Sequence, residues 1–404
     1  MNEPDSPTTF TATDRRALAS VAVQFFVNGA AFASFVPRLP EIRERVDVGL
    51  DGLGVAMTLG VTVGLVGSLR APALIERFGT RRTLLWGGAL MVAALPIIGM
   101  ATTPIVLVVG LAAMSAADGL IDVSMNLQGS WLSARRHTPV MNRLHGLWSL
   151  GTVIGGVAAA RAADAGLSLP VHLSIAAALM IGALLYVGAG LLAVDEDHDD
   201  EPTASPDGVA GRSTPSRAPL LALALSGAFA ITVELVSSDW AAFRLAEDLG
   251  TTAGFAGLGF VAFTTGMTIG RLGGDQAVAR LGGDVVFRLA ILLSGIGLSI
   301  AAFAPSRWWV LAGYVVAGIG ISVFFPKLYD DAARSKGRRG AGLAWLRTGA
   351  SLTALVIPTA VGVLAASSLS VGQAVAIVAL PSLVGLLAIR GTASLTQAGG
   401  PDPR

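Results

Sequence analysis

The 404-residue chain contains no cysteine, which excludes disulfides and thiolate metal sites. Charge is scarce: 14% of residues are Asp, Glu, Lys or Arg, against about 25% in a soluble domain. Histidine is scarcer still. His137, His145, His172 and His198 are scattered and offer no metal-ligand spacing. No basic tract runs outside short loops, and the net charge is +1, so nothing points to a nucleic-acid partner. No strand precedes a glycine-rich run and no Walker-type lysine motif is present, so ATP is not the expected energy source. No residue is assigned a catalytic role, and no cofactor is expected. What the chain has instead is apolar residues, 53% of the total, and a mean hydropathy of +0.68. This is the composition of a polytopic membrane protein.

A bilayer-spanning helix needs about 20 mostly apolar residues. Twelve such segments are predicted, giving an all-α membrane fold. The first six start near Ala17, Gly52, Arg82, Pro104, Asn142 and Val171, and the next six near Ala218, Ala253, Val286, Trp308, Gly340 and Val371. The polar N-terminal stretch ends in Arg15-Arg16, and the apolar run after it is too long for a signal-peptide core, so it is expected to be a retained first span. Between spans six and seven, residues 195–217 are acidic and then rich in Pro, Ser and Gly, the composition of a linker. The expected organisation is a six-helix bundle over 1–194, a cytoplasmic linker over 195–217 and a second bundle over 218–404. Of the 28 lysines and arginines, Arg38, Arg43, Arg45, Arg161, Arg244 and Arg307 fall in loops opposite the N-terminus and Arg347 falls inside span eleven. The rest lie on the N-terminal side, which predicts both termini in the cytoplasm of a bacterial inner membrane.

The halves repeat. At an offset of 206, "GVTVGLVG" from Gly60 overlays "GMTIGRLG" from Gly266, and Arg38-Leu39-Pro40-Glu41 overlays Arg244-Leu245-Ala246-Glu247. At 203, Arg77-Phe78-Gly79 overlays Arg280-Leu281-Gly282. Parallel six-helix repeats imply a pseudo-two-fold axis along the membrane normal and a seam between halves. The small residues four apart in the glycine runs read as helix-packing seams able to slide.

Polar groups inside the spans are the candidate site. Ser115, Asp118, Asp122 and Asn126 recur at three- and four-residue spacing on one face of span four. Each charge there costs about 2.5–3.5 kcal/mol, so the stripe should face the bundle interior. The functional reading makes Asp122 a proton carrier with Asp118 beside it; the alternative is a structural hydrogen-bond network. His145 opens span five, where it either tunes Asp122 or simply ties two helices together. Trp148, three residues on, is packing or a stacking platform. Glu234 lies deep in span seven and aligns with Asn28 of span one; both are candidate solute ligands. Asp239 reads as a solvated helix-end charge. Arg347 either snorkels or faces the cavity as partner to an anionic solute or to Glu234. Lys327 reads as an edge residue that snorkels.

The loop "PALIERFGTRR", Pro72 to Arg82, resembles the G-x-x-x-D-R-x-G-x-R-R signature of the major facilitator superfamily, with Arg77, Gly79, Arg81 and Arg82 matching and Glu76 in place of Asp. "GRLGGD", Gly270 to Asp275, resembles the second-half version. The resemblance implies a twelve-helix alternating-access transporter, with Glu76, Arg77, Arg81, Arg82, Arg271 and Asp275 in the gate. Within the family, Asp122, Asn126 and "HGLWSLG" from His145 resemble the fucose–proton symporter group, where an acid at the matching place in span four is implicated in proton handling. Asn28 departs from the acid those symporters carry in span one. Span five reads "GTVIGGVAAA" without the proline of drug antiporters. Expected, then, is a monomer that imports a small polar solute such as a sugar with protons, Asn28, Asn126, Trp148, Glu234 and Arg347 binding the solute. Proton-driven export of a drug-like or metabolite molecule, and a non-transporting receptor on the same fold, are the alternatives.

Overall fold

The computed structural model describes residues 10–136, 140–193, 218–333 and 341–398. The predicted linker and the ends of the chain lie outside them. Sixteen α-helices follow one another within the described residues. In the first half they are α1 (Ala12–Phe35), α2 (Leu39–Val46), α3 (Leu50–Phe78), α4 (Thr80–Met100), α5 (Pro104–Arg136), α6 (Met141–Asp164) and α7 (Leu169–Gly190). In the second they are α8 (Ala218–Asp239), α9 (Ala241–Ala246), α10 (Ala253–Leu281), α11 (Gly283–Phe303), α12 (Arg307–Ile321), α13 (Phe324–Ala333), α14 (Ala341–Ala354), α15 (Ile357–Ala365) and α16 (Val371–Ala398). Without water in a bilayer core, backbone groups must bond within their own segment, and helices do this. Large apolar side chains such as Leu69, Ile105, Leu179, Leu185 and Leu272 project outward, and Trp308 and Trp309 stand exposed at the start of α12. These are a lipid-facing surface and an interfacial anchor.

Eleven described helical segments are long and apolar enough to cross a membrane. The twelfth expected span, α6, has 24 residues, roughly 36 Å of helix, but it is not among the apolar ones. It carries Arg143, His145, Ser149, Thr152 and Arg161. Its polarity has a cause in its position: α6 packs against α1 on one side and α10 of the other half on the other. Its polar residues lie toward protein and the site, while Leu150, Ile154 and Val157 stay exposed on another face.

Two of the remaining spans are interrupted. Span ten breaks between α12 and α13 at Ser322-Val323, and span eleven breaks between α14 and α15 just before Pro358. Elsewhere the repeat is exact in its turns. Gly79 (φ 82°) ends α3 and begins α4, and Gly282 (φ 83°) does the same for α10 and α11. A left-handed residue at such a one-residue corner favours glycine.

The glycine runs are packing seams, but inside each half. Gly60, Gly64 and Gly67 of α3 lie against Leu111, Ser115 and Ala116 of α5, and Gly266 and Gly270 of α10 lie against Val315 and Ser322. A side chain at any of the first three would collide with α5. They are therefore not the surface on which the halves slide. That surface is α3 on α15, where Gly54 meets Pro358 and Gly362 meets Leu50, and α6 on α10, where Gly156 meets Phe260 and Gly254 meets Asp164. Thr58 and Thr359 join their hydroxyls at 2.8 Å in this seam, and Arg43 of α2 pairs with Glu247 at 2.9 Å. The apolar core of the first half also takes in Trp240, Phe243, Phe260, Ile357 and Val361. All these contacts lie at the end of the bundle far from the termini. The halves are closed there, and the space between them opens toward the terminal side.

Candidate transport site

The site begins with two close helix approaches. Gly29 of α1 sits on the Trp148 carbonyl of α6, Gly151 on the Phe26 carbonyl and Gly155 on Ala30, so α1 and α6 touch backbone to backbone. Gly119 of α5 sits likewise on Gly64 and Ser68 of α3. With α1, α5 and α6 fixed in this way, their polar residues converge. The Asn28 amide donates to Asp118 Oδ1 at 3.0 Å across the α1–α5 contact. The Asn126 amide donates to the Asp122 carbonyl at 2.7 Å and to Asp122 Oδ1 at 3.0 Å. Ser115, Asp118, Asp122 and Asn126 are all half-buried on one face, as the spacing predicts. His145 stands edge-on to Phe25 with ring centroids 5.1 Å apart, and it is exposed rather than packed away.

The second half supplies the opposing wall. Asp122 lies within charge range of both His145 and Arg347, and Asp118 within range of Asp122. Glu234, half-buried in α8, lies near Arg271, and Asp239 lies near Glu234. Asp239 accepts from the Ser238 hydroxyl at 2.8 Å and is half-buried, so it joins the cluster rather than standing as a solvated helix-end charge. Lys327 is also corrected: it bridges Asp331 at 2.6 Å and Asp284 at 3.0 Å, which ties α13 to α11 instead of leaving the ammonium to snorkel.

Arg271 is the largest relocation. Sequence groups it with Asp275 in the gate, yet its Nη1 donates to Ser149 Oγ of α6 at 2.9 Å and its guanidinium lies 5.6 Å from the Trp148 ring centre. It crosses from one half to the other at the level of the acids. Tyr329 of α13 completes the set. It is exposed and within charge range of Arg347, Asp122 and Glu234. Sequence reasoning missed Tyr329 because nothing in its own segment marks a site; the break before α13 is the signal that could have found it. Exposed and half-buried polar groups that feel one another from opposite halves must face a shared opening.

The other residues expected in the gate lie away from this cluster. Glu76, Arg77, Arg82 and Asp275 are exposed near the α3–α4 and α10–α11 corners. Arg81 donates to the Gly188 carbonyl of α7 at 2.7 Å, within its own half. Among the described residues, no ion pair joins the halves on this side.

A profile of the Major Facilitator Superfamily matches residues 21–243, more than half of the chain. The chain belongs to the major facilitator superfamily. It is 29% identical over 317 residues to an uncharacterized MFS-type transporter of Yersinia pestis, covering 78% of this chain and 79% of that one. It is 24% identical over 316 residues to the membrane protein MosC of Rhizobium meliloti, covering 78% and 75%. Among solved structures it resembles the nucleoside transporter NupG, with a TM-score of 0.73 at 11% identity over 94% of this chain and 99% of that one. It also resembles a bacterial homolog of the human lysosomal transporter Spinster, with a TM-score of 0.63 at 13% identity over 98% of each. These two likenesses concern the fold alone. As a superfamily member the chain is a multi-pass membrane transporter, not an enzyme.

Proposed function

We propose that this transporter takes up a small polar solute together with protons, and that Asp122 carries the proton with Asp118 and His145 beside it. The observation behind this reading is the pair of acids on α5, each held by one asparagine, facing an opening whose other wall carries Arg271, Arg347 and Glu234. An ionisable residue at membrane depth is costly and is a functional group by default. The residue in the matching place of the second half, at an offset of 200, is Ser322, so the fold itself does not require an acid there. The likeness of span four and "HGLWSLG" to fucose–proton symporters favours a sugar-sized solute, and NupG adds nucleosides to the classes worth testing. Asn28, Asn126, Trp148 and Glu234 are the proposed solute ligands. The protein works as a monomer in the bacterial inner membrane, with its termini in the cytoplasm, as the lysine and arginine distribution directs.

Reconstituted protein in proteoliposomes, challenged with sugars, nucleosides, organic acids and cationic drugs, tests this reading. Solute entry should alkalinise the external medium. External acidification on solute entry, with protons leaving as solute enters, would instead mark the alternative, a proton antiporter built for export, and the absence of any proton movement during net solute flux would end the coupled reading. The signature loop is proposed to close the terminal side when the opening moves. Replacing Arg77 by Ala should slow transport at least several-fold while leaving equilibrium solute binding within a few-fold; lost binding by a folded protein would contradict a gating role.

A further inference from the structure

The two arginines of the opening differ in what they touch. Arg271 is occupied: it donates to Ser149, lies against the Trp148 ring and has Glu234 nearby. Arg347 is exposed, seven residues into the first helix of an interrupted span, and among the described residues it makes no hydrogen bond and no ion pair. A guanidinium carries five donors in a planar fork. Of the acids in the opening, Asp118 takes the Asn28 amide and Asp122 the Asn126 amide, and Glu234 lies within charge range of Arg271. Asp122 is in charge range of Arg347 but on the other half, and the two do not meet as an ion pair. Within charge range of Arg347 is the exposed Tyr329 phenol, on α13 just past the break in span ten. An unpaired planar fork recognises a carboxylate through two parallel charge-assisted bonds, and a phenol facing the same opening can add a third donor.

We propose that Arg347, assisted by Tyr329, receives a carboxylate on the transported solute, which is therefore a small organic acid or a zwitterion and not a neutral sugar. This rests on transport through the opening proposed above. The carboxylate fills the gap between Arg347 and Asp122, and its negative charge beside Asp122 is what a proton on Asp122 relieves. A sugar acid and an amino-acid-like zwitterion share the chemistry that Arg347 reads. They differ in whether an amine also faces Asp118.

The test uses the full-length protein in proteoliposomes and counterflow of labelled solutes in matched sets: gluconate with glucose, lactate with lactamide, alanine with alaninamide. A carboxylate member should bind and exchange, and its neutral or amide partner should do so at least tenfold less well. Arg347→Gln should abolish that preference, Arg347→Lys should keep part of it, and Tyr329→Phe should weaken carboxylate binding several-fold. Gluconate alone would identify the acid arm and alanine alone the zwitterion arm. Exchange of glucose or the amides with no carboxylate exchanged overturns the inference, as does an Arg347→Gln protein, monodisperse and still exchanging, that keeps the full preference. Should pH-gradient-driven uptake of glucose accompany that outcome, the proton-coupled reading survives and only the carboxylate site falls.

Discussion

Arg38 and Arg244 stand 206 residues apart in the same place of the two repeats, and both are almost fully buried at the far end of the bundle. Their surroundings differ. Arg38 holds Glu41 at 2.7 and 2.8 Å and donates to the Leu167 carbonyl at 2.8 Å. Arg244 donates to the carbonyls of Ala301 and Ala304 at 3.1 and 2.8 Å, and its carboxylate partner is Asp248 at 3.3 Å. The repeat partner of Glu41 is Glu247, which turns away and pairs with Arg43 of the other half. The fold, built twice, keeps the buried guanidinium because helix-end carbonyls need donors. The acid that is spare in the second half joins the halves. The same lesson holds at α5, where Asp122 on an unbroken helix faces the opening, while its counterpart Ser322 caps a broken span and donates to the Ile319 carbonyl at 2.7 Å. What both copies share is structural, and what one copy alone carries is the candidate for function.

The largest effect should follow from breaking this asymmetry at Asp122. Asp122→Asn keeps the size of the side chain and mimics the protonated acid. It should fold, bind and exchange solute, and lose accumulation driven by a pH gradient. Ser322→Ala, at the matching place, should leave accumulation within about two-fold, since its hydroxyl bonds only its own helix and such a bond is worth about 1 kcal/mol. The measurement is concentrative uptake beside equilibrium counterflow. An Asp122→Asn protein that concentrates solute as the parent does would show that the acid is structural.

A smaller effect is expected at the shared feature. Arg38→Gln and Arg244→Gln should each lower stability by about 1–3 kcal/mol, because each strands a carboxylate and backbone carbonyls. The two losses should be alike, read as melting shifts in detergent. A cost at one corner alone would mean that the repeat does not preserve the arginine for structure.

Much of this architecture is legible in the chain. The apolar runs place the span starts within a few residues, and the Arg-x-Gly corners at Gly79 and Gly282 announce two identical turns. The stripe of Asp118, Asp122 and Asn126 is legible because helical periodicity alone puts those residues on one face. What periodicity does not carry is the partner. The glycines of "GVTVGLVG" announce a close approach, yet only the three-dimensional arrangement shows that α5 and not the other half fills it. Arg271 looks like a gate residue from its neighbour Asp275 and turns out to lie against Ser149 and Trp148, 122 positions away from Ser149 in sequence. Glu247 is indistinguishable in sequence from Glu41. The segment from Asn142 counts as an apolar span like the others in sequence, and only its place between α1 and α10 accounts for the polar residues it carries.

The smallest effect, and the sharpest probe of the comparison, is at Glu247. Its ion pair with Arg43 is partly exposed, so its contribution is about 1 kcal/mol or less, a shift of no more than about five-fold between closed and open far sides. Glu247→Gln should therefore leave stability nearly untouched and move the conformational balance. Thr58→Cys, placed in the α3–α15 seam, reports that balance through its labelling by an impermeant thiol reagent added outside intact cells; the absence of natural cysteines makes the signal clean. Ser168→Cys, exposed in the far-side turn between α6 and α7, serves as the reference, and its failure to label from outside would reverse the proposed orientation. Labelling at Thr58→Cys should rise two- to five-fold with Glu247→Gln and fall back when Arg43→Glu is combined with Glu247→Arg. Glu41→Gln, which breaks the in-half pair at the matching place, should leave the labelling unchanged and lower the melting temperature instead. Equal responses to Glu41→Gln and Glu247→Gln would mean that the two acids do the same job and that the cross-half pair is not a latch.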